Sequence, residues 1–192
     1  MSIPYHLDLS EFSLDEFRRT LETEKLLPSR RMLAEEIPQR FAVLAEMGIR
    51  NLQDLTAALG SKPKLARFAE ASGLPEAYLT LLRRQTLIYT PKPIALAKFP
   101  DIDPDHVERL AAMGIKQTKQ LFEQGQDAAA RRQLAERSGV PEDAIVELVK
   151  LADLARVGWV GPIYARLIYA AGAETLTDLV RQTPDEFYAR VQ

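Results

Sequence analysis

Cysteine is absent from the 192 residues. That excludes disulfides, thiol catalysis and thiolate metal sites. Histidine is nearly absent, with only His6 and His106 far apart in the chain, too few for a histidine-based zinc site. No apolar run approaches the ~18 residues that would read as a bilayer span. The opening MSIPYHLDLSEF carries an acid and no basic stretch, so it does not read as a signal peptide. Neither sign of charge dominates: 25 Lys and Arg face 27 Asp and Glu, a net of −2. A domain that grips duplex nucleic acid non-specifically usually carries a basic excess. Here the one local excess lies in residues 61–100, where Lys62, Lys64, Arg67, Arg83, Arg84, Lys92 and Lys98 face Glu70 and Glu76. Such a run is more often a solvated face than a binding surface. A cysteine-free, Arg- and Glu-rich chain fits a reducing, cytoplasmic setting.

What the chain does have is a repeat. Three prolines are each followed ten residues later by a glycine and a small or apolar residue: Pro38/Gly48-Ile49, Pro104/Gly114-Ile115 and Pro162/Gly172-Ala173. Seven residues past each glycine stands Leu55, Leu121 or Leu179. Internal periodicity of this kind decides architecture before any single residue is weighed. Copies one and two align at an offset of 66, matching Leu44–Ile49 with Leu110–Ile115 and Phe68–Glu76 with Leu134–Glu142. Copies two and three align at 58, matching Leu96-Ala97-Lys98-Phe99 with Leu154-Ala155-Arg156-Val157. The change of offset falls at the Pro-rich connector Tyr89–Pro93.

Proline suits a first helical turn, and glycine suits the left-handed position just past a helix end. Pro-x9-Gly therefore frames a helix of about three turns. Asn51 and Thr175 are good N-caps for the helix that follows, and Gln117 is a poor one. Ser13–Glu16 and Thr183–Glu186 fit capping boxes. Only Tyr5–Leu9 alternates like a strand, as an extended arm would. The expectation is an all-α chain of tandem helical repeats in a compact array. Its parts are an N-terminal arm and helix over 1–28, repeat one over 29–90, repeat two over 91–150 and a half-length repeat three over 151–192.

The segment Leu154–Leu167 ends one helix, turns through Gly158-Trp159-Val160-Gly161 and starts another at Pro162. It resembles the helix-hairpin-helix motif, hydrophobic-x-Gly-hydrophobic-Gly-x-x-x-Ala, with Val160, Gly161 and Ala165 matching and Trp159 standing where the first glycine belongs. Either Gly158 supplies the turn, or the Trp159 indole closes the hairpin against the core or a partner. The resemblance implies that hairpin amides and the second helix's N-terminus hold a nucleic-acid phosphate. Free N–H groups and the positive end of a helix dipole make such an anion site. On that basis Gly158 and Gly161 would shape the turn and the amides of Ile163 and Tyr164 would face the phosphate. Arg156 and Arg166 would add charge, assisted by Lys98. Copy two carries Asp101, Asp103 and Asp105 at the matching turn, and copy one Glu35-Glu36 without glycine; carboxylates repel a phosphate. More broadly, nearly the whole chain resembles a bacterial family of tandem helix-hairpin-helix-related (SAM-like) repeats, itself a domain of unknown function. The resemblance is carried by Leu26–Leu33, Tyr78–Arg84, Pro91–Pro93, Ile115–Phe122 and Asp153–Ala165.

Other chemistry is thin. Glu35-Glu36 and Asp185-Glu186 are adjacent in helical or capping contexts and do not converge as acid/base pairs. Asp101-x-Asp103-x-Asp105 lacks the glycine and distal glutamate of a calcium loop. Trp159, Tyr164 and Tyr169 could stack on bases, but the spacing of Tyr164 to Ile168 favours the core. No catalytic residue, metal site, cofactor, small-molecule substrate or membrane partner is expected. The leading expectation is a non-enzymatic module that contacts a DNA or RNA backbone through its third hairpin. The alternative is a protein-interaction or self-association scaffold using its helical faces and Trp159.

Overall fold

The computed structural model describes residues 3–191, and the capping box expected at Thr183–Glu186 rests on a side chain outside those described. Twelve α-helices span the described residues, with no strand among them. Two compact units divide the chain between Tyr89 and Thr90, inside the Pro-rich connector. One comprises residues 7–89; the other joins residues 1–6 to residues 90–192. No helix among the described residues is long and apolar enough to cross a membrane.

The first unit begins with α1 (Leu14–Thr23), whose capping box is formed: the Glu16 carboxylate accepts the Ser13 amide at 2.8 Å, and Ser13 Oγ accepts the Glu16 amide at 3.2 Å. A 3₁₀ segment, Pro28–Ala34, leads to α2 (Ile37–Glu46), α3 (Leu52–Leu59), α4 (Lys62–Ser72) and α5 (Glu76–Thr86). The second unit repeats that order. After a short 3₁₀ turn at Leu96–Lys98 come α6 (Pro104–Ala112), α7 (Thr118–Gln124), α8 (Ala128–Ser138) and α9 (Glu142–Leu154). Shifting α2–α5 by 66 residues lands on α6–α9 to within a residue or two. The third copy continues as α10 (Pro162–Ala170), α11 (Leu176–Arg181) and α12 (Pro184–Val191).

Each Pro-x9-Gly frame closes the same way. Gly48, Gly114 and Gly172 take φ of 82°, 84° and 87°. The residue after each donates its amide back to the helix: Ile49 to Leu44 O, Ile115 to Leu110 O and Ala173 to Ile168 O, at 2.9 to 3.2 Å. This is the left-handed glycine stop with its apolar follower turned inward, and Ile49, Ile115 and Ala173 are all buried. Leu55 and Leu121 are fully buried behind these stops. Each such leucine contributes about 1.5–3 kcal/mol over an exposed one. The first unit's core gathers Phe17, Leu44, Leu55, Tyr78 and Leu82; the second gathers Leu110, Leu121, Leu148 and their neighbours.

A further element of the repeat is invisible in residue identities. In copy one the Leu14 amide donates to Arg50 O at 2.8 Å and the Leu52 amide to Phe12 O at 3.0 Å. In copy two Leu96 donates to Lys116 O at 3.0 Å and Thr118 to Ile94 O at 2.8 Å. These two isolated antiparallel bridges, Ser13 with Asn51 and Ala95 with Gln117, pin the start of each second helix to the chain ahead of the hairpin. In copy three the matching stretch, Ala152–Leu154, lies within α9, where its carbonyls belong to the helix. The Leu176 amide instead donates to the Asp153 carboxylate at 2.8 Å. One side chain replaces a backbone bridge.

The alternating Tyr5–Leu9 stretch is not a strand. Residues 3–6 belong with the second unit. Ile3 exchanges hydrogen bonds with the Gln126 amide side chain, and the Tyr5 hydroxyl meets Thr118 Oγ1 at 2.7 Å. The Tyr5 ring is 2% exposed and stands edge-on to Phe122, 5.7 Å between centroids. Burial pushes its phenol above the ordinary value.

Candidate functional site

The third hairpin is set by α9 ending and α10 beginning. Val157 donates to Leu154 O at 3.2 Å and Val160 donates to Val157 O at 3.1 Å. The left-handed residue of the turn is Trp159, at φ 72°; Gly158 is not in that region. The sequence offered Gly158 as the source of the turn, but the backbone places the indole-bearing residue there. A bulky side chain in the left-handed region costs about 1–2 kcal/mol. Nor does the indole close the hairpin against the core: Trp159 is 70% exposed.

Gly161 is the N-cap of α10, with extended φ −81° and ψ 177° and no side-chain cap. Pro162 occupies the first turn, and the first helical bond runs from the Ala165 amide to Gly161 O at 2.9 Å. The Ile163 and Tyr164 amides therefore sit at positions that have no acceptor within the helix. By contrast Asp103 caps α6 by accepting the Asp105 amide at 2.9 Å, and Asn51 and Thr175 cap α3 and α11. The Thr175 hydroxyl holds the Asp178 carboxyl below its ordinary range.

The expected cations are placed differently from the hairpin amides. Arg166 donates to Pro100 O through Nε at 3.2 Å and Nη2 at 2.9 Å, and it pairs with Glu147. Its side chain is only 14% exposed. Arg156 pairs with Asp153 at 2.6 Å, lies over the Phe122 ring at 4.9 Å and reaches Pro4 O at 3.5 Å. Both arginines hold the fold together. Lys98 is exposed at the end of its 3₁₀ turn, beside hairpin two in sequence. Of the basic excess in 61–100, Lys62, Lys64, Arg67, Arg83 and Arg84 belong to the other unit.

The outer face of α10 is what sequence reasoning missed. Ala165, Ile168 and Tyr169 form the inner stripe, packed with Phe99, Leu151, Leu154 and Ala155. Helical spacing to Ile168 suggested that Tyr164 is core. The stripe through Ala165 instead rotates Tyr164 outward, and it is 64% exposed. Ile163 is also 64% exposed and Leu167 48%. Residues three and four apart are surface neighbours on a helix, so Ile163, Tyr164 and Leu167 make one apolar face, with Trp159 just ahead of it. The signal was available. At an offset of 58, these positions correspond to Asp105, His106 and Arg109 in copy two. There Asp105 and Arg109 form a 2.7 Å ion pair on the surface.

Copy one departs further. Its left-handed residue is Glu36, at φ 50°, immediately before α2 rather than three residues before the proline. Arg40, matching Tyr164 in register, is turned inward over the Tyr78 ring at 4.5 Å and donates to Met32 O. Among the described residues no group of three or more His, Cys, Asp or Glu is placed to hold a metal ion.

The helices and hairpins of copies two and three thus define an all-helical chain of repeated helix pairs. Residues 100–192 match a family model described as a domain of unknown function (DUF4332). The match begins at hairpin two and takes in both later copies; it leaves copy one outside. No curated protein and no solved structure matches the chain.

Proposed function

We propose that this protein is a non-enzymatic interaction module that docks another protein chain on the outer face of α10. The observation that carries this reading is the exposed set Trp159, Ile163, Tyr164 and Leu167, at positions where copy two is charged or polar. A helix on the same frame folds with Asp105, His106 and Arg109 there, so folding does not require apolar residues. Exposed apolar clusters on soluble proteins mark interaction sites. Aromatic anchors are the residues that carry most interface energy. Trp159 adds a second exposed aromatic ring, four residues ahead of Ile163.

A nucleic-acid phosphate at the third hairpin is the second reading, favoured by one feature: α10 begins without a side-chain cap. Gly158 and Gly161 would then shape the approach to the Ile163 and Tyr164 amides. The ion pairs of Arg156 and Arg166 weigh against it, since the charge that would strengthen phosphate binding is already neutralised.

Incorporating a photo-crosslinking amino acid at Tyr164 in the full chain, and irradiating cells, separates the two. Docking predicts a discrete protein adduct that disappears when Leu167 is replaced by Arg. An adduct to DNA or RNA alone, or no adduct at all, overturns docking.

A further inference from the structure

We infer that the cavity between α7, α8, α9 and α11 binds a small monocarboxylic acid, Arg131 taking the carboxylate and an apolar wall the hydrocarbon body. The cavity measures about 290 Å³, at the lower end of the roughly 300–1,000 Å³ range of small-ligand sites. It lies wholly within the unit of residues 1–6 and 90–192 and shares no residue with the outer face of α10. Docking on that face and binding here stand independently. The walls are of two kinds: Phe122, Val146 and Val149 are apolar, and Arg131, Lys150 and Arg156 are cationic.

The three cations are not equivalent. Arg156 is matched by Asp153 at 2.6 Å, and Lys150 by Glu174. Asp153 spends its second oxygen on the Leu176 amide. Half-buried Arg131 makes one bond, from Nη1 to Gly125 O at 3.0 Å. Among the described residues no carboxylate pairs with it, and its Nε and Nη2 have no protein partner. Those two N–H groups lie parallel on one edge of the guanidinium, the fork that a carboxylate accepts in two bonds. One unpaired cation balances a single negative charge, whereas a phosphate monoester brings close to two. Beside the fork, the apolar wall suits hydrocarbon and penalises further unpaired polar groups.

Copy one shows the same frame closed without this cation. At the offset of 66, Gly125 and Arg131 correspond to Leu59 and Leu65, both buried in the first unit's core. In copy two a Cβ at Gly125 would meet Val149 Cγ2 at 2.6 Å and Arg131 Cγ at 3.6 Å. The arginine stem and the valine thus close over the space that a side chain at 125 would take. The stem is held against the apolar wall, and the Gly125 carbonyl fixes one corner of the guanidinium.

Titration of the intact protein with hexanoate, followed by amide NMR to about 20 mM, covers the affinities open to so small a ligand. Saturable shifts are expected at Phe122, Arg131 and Val149. Hexanamide, which keeps the body and loses the charge, and acetate, which keeps the charge and loses the body, should each bind roughly tenfold more weakly or worse. Arg131→Leu installs copy one's residue and should weaken hexanoate by roughly tenfold or more, as loss of a charge-assisted pair does. Arg132→Leu removes the same charge from an exposed neighbour on α8 and should leave binding unchanged. Absence of saturable shifts with hexanoate overturns the site. Binding that survives Arg131→Leu overturns the role of Arg131, and inorganic phosphate binding as tightly as hexanoate overturns the ligand class. If Arg131→Leu does not fold, the contrast between hexanoate and hexanamide on the parent protein decides: equal affinities overturn the proposal.

Discussion

Hairpins two and three share one backbone and differ in almost everything they show to solvent. Each turn carries a non-glycine residue in the left-handed region three residues before its proline, Asp101 at φ 57° and Trp159 at φ 72°. Each leads into a helix of the same length that ends in the same glycine stop. Hairpin two covers its outer surface with Asp105 and Arg109, half-buries His106 and caps its helix with Asp103. Hairpin three leaves its cap position to Gly161 and its surface to Trp159, Ile163, Tyr164 and Leu167. Hairpin two is therefore an internal control: what the frame requires is common to both.

The largest stability effect is expected where copy three has substituted a side chain for backbone. Asp153→Ala removes the acceptor of the Leu176 amide and the partner of Arg156, and should cost roughly 2–3 kcal/mol, as an unsatisfied part-buried donor does. Ala95, its counterpart in copy two, acts through its backbone; Ala95→Ser should change stability far less. Urea unfolding of the two variants checks the contrast, and equal losses would mean that the side-chain bridge is not what pins α11.

A smaller effect of opposite sign is expected at the turns. Trp159→Gly relieves left-handed strain at an exposed position and should raise stability by about 1 kcal/mol, part of the gain being lost to the entropy of a freer unfolded chain. Asp tolerates that region better, so Asp101→Gly should gain less. Thermal unfolding that ranks the two in the reverse order would remove strain from the comparison.

The smallest effect on stability is expected from transplanting hairpin two onto hairpin three. The triple variant Ile163→Asp, Tyr164→His, Leu167→Arg should unfold within about 0.5 kcal/mol of the parent, as exposed substitutions usually do. A loss well beyond that would show the apolar face to be part of the core.

The frame was legible because its signals are local. Proline and glycine act through their own backbone, so Pro-x9-Gly gave three helices and their stops, and the caps at Ser13, Asn51 and Thr175 followed from residue type. What was not legible depended on phase and on distant partners. The rotation of α10 was set by Ala165 packing with Leu151 and Leu154, not by the Tyr164–Ile168 spacing. Nothing local revealed Phe122 and Pro4 as partners of Arg156, or Glu147 and Pro100 as partners of Arg166. The bridges at Ser13 and Ala95 are backbone hydrogen bonds and leave no trace in side-chain identity. The Trp159 turn was read through its nearest glycine, when the backbone register of hairpin two was the better guide.

The placement of Tyr5 has a consequence for the order in which the molecule is made. Thr118 is 113 residues downstream of it, and Arg156 is 152 downstream of Pro4. During synthesis residues 4 and 5 must wait for partners 113 to 152 positions downstream before they find their places, while α1 to α5 can close on nearer contacts. Closing so long a loop is entropically costly before it is rewarded. The arm is thus among the last elements to settle.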